Sequence, residues 1–169
     1  MSIYHGRVRK FGDNVDTDQI TPGSILHLSN PEMKPYAFSP IFKDFQSTLQ
    51  PHDVIVAGKN FGCGSSREPA TAVVKLLGID FIVCESMARI YLRNCTAVGV
   101  YPVLAPAVAA CFAEGDPIEI DTDKGEVSNP KTGRVAKFYP LNGIPKETLE
   151  AGGILPLLKR KVEAANARR

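Results

Sequence analysis

The stretch from residue 53 to residue 104 limits the fold most, because short apolar runs alternate there with helical repeats. The runs at residues 53–58, 80–85 and 101–104 suit buried strands. Between them, apolar side chains recur at helical spacing, and a glycine follows each set. The two sets are Ala70, Val73, Val74 and Leu77, then Met87, Ile90, Tyr91, Cys95 and Val98. This order predicts an α/β core of parallel strands joined by right-handed crossovers.

The C-terminal part of the chain has a different pattern. Beyond Gly115 the sequence alternates and turns at Lys124-Gly125 and again at residues 129–133, as antiparallel hairpins do. The tail over residues 154–169 is a basic amphipathic helix. We therefore expect a parallel βαβαβ core with an antiparallel β-rich extension and a C-terminal helix.

No linker or internal repeat divides the chain, so residues 1–169 are expected to form one domain. Residues 107–115 predict a short third helix after the last parallel strand. Within residues 1–23, apolar and charged side chains alternate first. The segment DNVDTDQITPG, which ends at Gly23, predicts a loop.

Residues 24–45 have no helical or strand repeat, although they contain three prolines and several bulky apolar side chains. That pattern predicts a long ordered loop with short helical turns. Loops of this length in compact domains are usually functional or mobile. We expect this one to be mobile when no partner covers it.

Charge and composition exclude several classes of protein. The formal net charge is +2, which gives no reason to expect nucleic acid or an anionic membrane as partner. Hydrophobic residues make up 44% of the chain and charged residues 22%, which argues against disorder. No apolar run is long enough to span a bilayer, and the N-terminus has no apolar signal core. A cytoplasmic protein is expected.

The four cysteines, Cys63, Cys84, Cys95 and Cys111, include no CxxC pair. The three histidines are scattered and do not cluster with them. A zinc or iron–sulfur site held by this chain alone is therefore not expected. Buried, reduced thiols are the simpler prediction.

The glycine-rich turn GKNFGCGSSRE, at residues 58–68, is the strongest candidate for a functional site. It lies between a predicted strand and a predicted helix, where backbone N–H groups and the helix dipole favour an anion. Ser65, Ser66 and Arg67 add two hydroxyls and a guanidinium that suits a carboxylate. The turn is neither a Walker loop nor a GxGxxG motif, so a phosphate-binding NTPase is disfavoured.

Helix capping explains the same residues without a ligand. Ser65 and Glu68 match the S-x-x-E capping box. Pro69 equally suits the first residue of a helix that is capped one residue earlier. The spacing by itself leaves the anion site and the cap open.

Three motifs in order carry a family resemblance. DNVDTDQITPG is followed by VIVAGKNFGCGSSREPA and then by SMARIYLRN. Together they resemble the small subunits of the isopropylmalate dehydratase and homoaconitase family, which correspond to the swivelling domain of aconitase. The resemblance implies a swivelling β/β/α domain. It also implies a two-chain iron–sulfur hydro-lyase whose separate large subunit carries the [4Fe-4S] cluster, with no metal on this chain.

The resemblance also implies roles for individual residues. Ser65 matches the catalytic base, and Ser66 and Arg67 match residues that bind the substrate carboxylate. Asp18 and Thr21 match a substrate-binding loop that contacts this segment. The turn residues Gly62, Cys63 and Gly64 support the loop.

Specificity is expected in the segment after Pro22-Gly23, where His27 and Leu28 stand at the discriminating positions. His27 is neither of the residues typical of the family there. The largely apolar segment favours isopropylmalate, and homoaconitate and dimethylmalate stay open as substrates.

Two other classes also stay open: a non-catalytic anion-binding module and a self-sufficient hydrolase with Ser65 as nucleophile. The expected partner is the large subunit, and a homo-oligomer is the alternative for the isolated chain.

Overall fold

The computed structural model describes residues 3–65 and 68–167. Its strands form one seven-stranded sheet in the order β4-β3-β2-β1-β5-β6-β7. The strands are β1 Ile3–Lys10, β2 Asp53–Ala57, β3 Phe81–Cys84, β4 Tyr101–Leu104, β5 Pro117–Asp121, β6 Glu126–Asn129 and β7 Arg134–Lys137. The α-helices are α1 Thr17–Ile20, α2 Asn30–Met33, α3 Pro69–Leu76, α4 Arg89–Val98, α5 Ile144–Glu150 and α6 Ile154–Asn166.

The sheet is parallel in one half and antiparallel in the other. Strands β2, β3 and β4 are parallel and are connected through α3 and α4, which confirms the predicted βαβαβ core. Strand β1 adds a fourth parallel strand beside β2. It also pairs antiparallel with β5, from which the predicted hairpins β5–β6 and β6–β7 continue. Because β1 joins both halves, core and extension share one continuous sheet.

The central strands contribute side chains to two separate hydrophobic cores, one on each face of the sheet. Ile55 and Ala57 point into the core beneath α3 and α4, whereas the alternate residues Val54 and Val56 point into the other. The second core also receives the inward side chains of β5, β6 and β7. Since both faces of β2 are covered, all five of its residues are buried, which explains why residues 54–57 are all apolar.

One local prediction was wrong, and one helix was not predicted. The expected third helix is only a 3-10 turn over Val108–Cys111. It cannot extend, because Ala107 before it is left-handed, with φ of 58°, and Phe112 after it is extended. Helix α5 was not predicted, since its short sequence has one buried residue, Thr148, and no apolar repeat.

Residues 24–45 form short helical turns, as predicted, and much of their apolar surface is buried. They contain α2 and the 3-10 turns Gly23–Ile25 and Lys34–Tyr36. The side chain of Phe38 is fully buried in the core beneath α3 and α4. Apolar side chains from both ends of this segment are therefore part of that core or pack against it.

Arg9 of β1 ties the end of this segment to the sheet. Its guanidinium lies 4.7 Å from the ring centroid of Phe42 and 4.9 Å from that of Phe45. It also lies 3.4 Å from the carboxylate of Asp53 on β2. Arg9 is only 2% exposed, so these contacts replace its hydration.

None of the helices in residues 3–65 and 68–167 has the length and apolarity to cross a membrane.

Candidate active site

Three loops meet where the parallel strands β1, β2 and β3 end. The carboxyl ends of parallel strands share one edge of a sheet, and ligands of α/β proteins bind in the crevice outside it. The loop after β2 lies between the other two, because β2 lies between β1 and β3. This loop is the glycine-rich turn at residues 58–68, the strongest candidate for a functional site in the sequence.

Backbone hydrogen bonds join the glycine-rich turn to the loop after β1. The N–H of Gly62 donates to the carbonyl of Val15 at 2.7 Å, and the N–H of Thr17 donates to the carbonyl of Cys63 at 2.8 Å. The resemblance implied a contact between these two loops, and this contact is present. Val15 and Thr17 make it at Gly62 and Cys63, and Asp13 and Asn14 extend it to Lys59.

The other edge of the turn is joined to the loop after β3. The N–H of Phe61 donates to the carbonyl of Ser86 at 3.0 Å, and the N–H of Ala88 donates to the carbonyl of Phe61 at 2.9 Å. The hydroxyl of Ser86 accepts from the N–H of Asn60 at 2.8 Å. The turn is thus held along both edges by main-chain contacts.

Ser65 stands at the end of the turn and interacts with Thr17. Thr17 Oγ1 accepts a hydrogen bond from the Ser65 N–H at 3.0 Å and lies 3.3 Å from Ser65 Oγ. Ser65 itself is half-buried, and Thr17 is 3% exposed. The hydroxyl proposed as the base is therefore held beside a second, buried hydroxyl.

The capping interpretation of Ser65 was wrong. Helix α3 begins at Pro69 with Glu68 as its N-cap, and no side chain caps it. Pro69 is the first residue of the helix, as expected, and Glu68 occupies the N-cap position without a side-chain capping hydrogen bond. Ser66 and Arg67 lie outside the described residues.

Two glycines of the turn are required by its backbone and its neighbours. Gly62 has φ of 71° and Gly64 has φ of 98°, both in the region that favours glycine. A Cβ on Gly62 would lie 2.2 Å from Cγ of Tyr91, and one on Gly64 would lie 3.0 Å from Oγ1 of Thr17. Close packing of the turn on α4 and on the first loop therefore needs both glycines.

The first loop contains a helical turn that the sequence did not predict. Asp16 caps α1: its Oδ1 accepts from the N–H of Asp18 at 2.8 Å and from that of Gln19 at 2.9 Å. In return, Gln19 Oε1 accepts from the N–H of Asp16 at 3.0 Å. This capping box stabilises a single turn of helix within a segment whose sequence otherwise predicts a loop.

The other predicted site residues of this region differ in accessibility. Asp18 is exposed at the rim, whereas Thr21 is 2% exposed, and its hydroxyl has no hydrogen-bond partner among the described residues. His27 is exposed after the 3-10 turn. Leu28 is half-buried and packs against the core beneath α3 and α4. Among the described residues, the structure brings Thr17 into hydrogen-bond contact with Ser65.

The cysteine and histidine side chains do not form a cluster site. Within residues 3–65 and 68–167, no group of three or more His, Cys, Asp or Glu side chains is placed to hold a metal ion. Burial raises the pKa of Cys84 to about 12 and also raises the pKa of Cys95, so both thiols are protonated at neutral pH. Iron is bound by thiolates. The donors of the described residues therefore do not fit an iron–sulfur cluster.

Sequence reasoning missed Thr17. Its only signal in the sequence is its place in the DTDQIT motif, next to Asp18. The contact with Ser65 joins positions 48 residues apart, so no local pattern points to it.

Residues 17–107, more than half of the chain, match the family described as the Aconitase C-terminal domain. The chain belongs to this family. The match includes all three motifs from which the resemblance was inferred, apart from the first residues of DNVDTDQITPG. It ends just after β4, so it covers the parallel core and both helices that connect its strands.

Members of the family resemble the chain over nearly its whole length. It is 43% identical to the isopropylmalate/citramalate isomerase small subunit of Methanocaldococcus jannaschii, over 95% of this chain and 96% of that one. It is 41% identical to the methanogen homoaconitase small subunit of the same organism, over 94% and 93%. It is 42% identical to 3-isopropylmalate dehydratase small subunit 1 of Thermotoga maritima, over 94% and 96%.

The fold agrees with a solved member of the family. A crystal structure of 3-isopropylmalate dehydratase from Methanocaldococcus jannaschii superposes with a TM-score of 0.93 at 38% sequence identity. The superposition covers 99% of this chain and all of the other. The swivelling α/β fold expected from the resemblance is confirmed.

Proposed function

We propose that the chain is the small subunit of a two-chain hydro-lyase that interconverts 2- and 3-isopropylmalate by dehydration and rehydration, a step of leucine biosynthesis. Full-length relatives named as 3-isopropylmalate dehydratase small subunits support this function. The observation that carries it is the glycine-rich turn, held along both edges at the carboxyl end of the sheet with Ser65 at its end. A homoaconitate substrate is no better supported, since that relative is 41% identical.

In this proposal Ser65 takes the proton that lies α to a substrate carboxylate. A serine hydroxyl ionises far above neutral pH, so it needs preorganised donors and a nearby cation to act as a base. Arg67, two residues along the chain, supplies the cation and a planar fork for the carboxylate. Closure of the small subunit over its partner removes water and strengthens these contacts.

The remaining residues of the site complete substrate binding. Ser66 binds the substrate carboxylate together with Arg67. Asp18 and Thr21 belong to the substrate-binding loop that contacts this segment, and Gly62, Cys63 and Gly64 shape the loop that carries Ser65. His27 and Leu28 face the substituent that distinguishes one malate derivative from another. Their exposed and half-buried positions at the start of the 24–45 segment are compatible with this role.

The [4Fe-4S] cluster of the complex belongs to the large subunit in this proposal. Within residues 3–65 and 68–167 no side-chain group is placed to hold a metal ion. The contribution of this chain in the proposal is the base, the carboxylate site and the specificity segment. The isolated chain should therefore bind no iron and show no dehydratase activity. Stoichiometric cluster iron in the chain reconstituted without a partner would contradict this division of roles.

The test combines the purified chain with its large partner under anaerobic conditions and offers isopropylmalate, homoaconitate and dimethylmalate. Ser65→Ala should lower turnover by about two to three orders of magnitude, the scale of a lost acid–base group, with little change in substrate affinity. Ser128→Ala, which removes a half-buried serine hydroxyl from β6, is the matched control and should keep full activity. A loss below tenfold in the Ser65 variant would remove that residue from the base position.

The two alternative functions have distinct outcomes in this test. A self-sufficient hydrolase would turn over an ester without the partner and would lose that activity in Ser65→Ala. An anion-binding module would bind the malate derivatives and convert none of them, with or without the partner.

A further inference from the structure

We propose that Thr17 is a positioning residue for Ser65: its hydroxyl donates a hydrogen bond to Ser65 Oγ and favours the ionised serine. The proposal rests on the proposed function, in which Ser65 is the base. It adds Thr17 to the site, a residue to which the family resemblance assigned no role.

The direction of the hydrogen bond follows from counting donors and acceptors. A threonine hydroxyl has one proton to donate and two lone pairs that accept. One lone pair of Thr17 Oγ1 accepts the Ser65 N–H at 3.0 Å, which leaves its proton for another acceptor. Ser65 Oγ lies 3.3 Å away. While Ser65 is neutral either hydroxyl can donate, but an ionised Ser65 has no proton, so Thr17 must then be the donor.

Thr17 is fixed in place by its backbone. Its N–H donates to the carbonyl of Cys63 at 2.8 Å, and its own carbonyl accepts from the N–H of Thr21 at 2.8 Å. It is the first residue of α1, whose capping box is complete at Asp16 and Gln19. The hydroxyl therefore does not have to be ordered when the serine ionises, and this preorganisation is what makes such a donor effective.

The surroundings make the hydrogen bond stronger than it would be in water. Thr17 is 3% exposed, so its hydroxyl lies in a region of low effective dielectric constant. Gly64 has no side chain to separate the two hydroxyls, and a Cβ there would lie 3.0 Å from Thr17 Oγ1. A hydrogen bond to a charged oxygen is roughly twice as strong as one between neutral groups.

The test uses the assembled two-chain enzyme with Thr17→Val, which keeps the shape and removes the hydroxyl, and Thr17→Ser, which keeps the hydroxyl. Thr17→Val should lower kcat about 10- to 100-fold, the loss expected for one hydrogen bond to a charged group, and leave KM within about twofold. The rise of kcat with pH should move to higher pH, because the base loses a donor that stabilised its ionised form. Thr17→Ser should restore most of the rate and the original profile. Thr148→Val, a buried threonine of α5, is the control for loss of a buried hydroxyl.

A second readout needs no activity. In the isolated chain, amide hydrogen exchange at Ser65 should accelerate in Thr17→Val, because the acceptor of that N–H is gone, and should stay slow in Thr17→Ser. Unchanged exchange in the valine variant would overturn the geometry. If the wild-type complex is active but Thr17→Val leaves the pH profile of kcat unshifted, the positioning role is overturned and the proposed function stays intact. A wild-type complex without dehydratase activity would overturn the proposed function, and the positioning role with it.

Discussion

Tyr91 lies directly beneath Gly62, so closely that a Cβ on the glycine would stand 2.2 Å from Cγ of the tyrosine. The Tyr91 ring also packs edge-on against Phe61, with 5.5 Å between ring centroids. Helix α4 thus supports the glycine-rich turn from below through one buried aromatic side chain. A side chain at position 62 would therefore push the turn away from α4.

Gly62→Ala tests this support. The substitution combines an unfavourable positive φ with a steric conflict against Tyr91, so the turn must move and activity of the complex should fall more than tenfold. Gly78→Ala is the matched control, because Gly78 also has a positive φ, of 83°, but open space around its Cβ position. Its cost in unfolding free energy should be about 1 kcal/mol. Equal losses of stability and activity in the two variants, measured by urea unfolding and assay, would show that the Tyr91 contact is unimportant.

Tyr91→Phe should leave the fold as stable or make it more stable. The Tyr91 hydroxyl is buried and has no hydrogen-bond partner among the described residues, and burial raises the pKa of this phenol. Removing an unpaired buried hydroxyl recovers its desolvation cost, about 1 kcal/mol. Thr148→Val is the comparison, because the buried Thr148 hydroxyl donates to the carbonyl of Ile144 at 2.7 Å, and its removal should destabilise. A lower melting temperature for Tyr91→Phe would mean that its hydroxyl is paired.

Arg9→Met should loosen the 24–45 segment. The substitution removes the cation that lies against Phe42 and Phe45. Asp53 keeps its two hydrogen bonds from Arg7 at 2.8 Å, so we expect a loss of about 2 kcal/mol. Limited proteolysis should then cut within residues 24–45 sooner than in the wild type. Arg160→Met, on the exposed face of α6, should change neither the free energy of unfolding nor the rate of proteolysis. Unchanged proteolysis after Arg9→Met would mean that burial of Phe38 and Phe45 holds the segment alone.

Acid should weaken the antiparallel half through Asp116. Hydrogen bonds from the Ala113 N–H and the Lys131 ammonium lower the pKa of this carboxyl to about 2. A carboxyl whose pKa is depressed by folding adds stability above its unfolded pKa of about 4, and this contribution is lost as the pH falls toward 2. The urea midpoint of the wild type should therefore drop between pH 5 and pH 3 by more than that of Asp116→Asn. Asp44→Asn, at an exposed position, should behave as the wild type does; equal drops in all three would exclude this role of Asp116.

His27→Arg should shift substrate preference toward a malate that carries an extra carboxylate. An arginine is permanently charged and grips a carboxylate with two hydrogen bonds, whereas an alkyl substituent gains nothing from it. The measurement is the ratio of kcat/KM for homoaconitate to that for isopropylmalate. Ser39→Arg adds the same charge at another exposed position of the segment and should leave the ratio unchanged. A ratio that does not respond to His27→Arg would place the specificity contact elsewhere in the segment or on the partner.

The local part of the fold could be predicted because its signals are local. The alternation from residue 53 to residue 104 was enough for β2, α3, β3, α4 and β4, since each period is contained within one element. Helix α1 was missed because its stability comes from the side chains of Asp16 and Gln19 acting together. The pairing of β1 with β2 was missed because an irregular segment of residues 11–52 separates the two strands and carries no register signal.

The amino-acid sequence by itself determined the parallel core, the family and Ser65 as the hydroxyl of interest, because periodicity and ordered motifs are readable along the chain. Tertiary structure alone decided what surrounds that hydroxyl. Neighbouring strand ends place Thr17 within hydrogen-bond distance of Ser65, and α4 sets Tyr91 under Gly62. Such contacts join residues that are distant in sequence and meet only after the sheet has formed, so no spacing in the sequence encodes them.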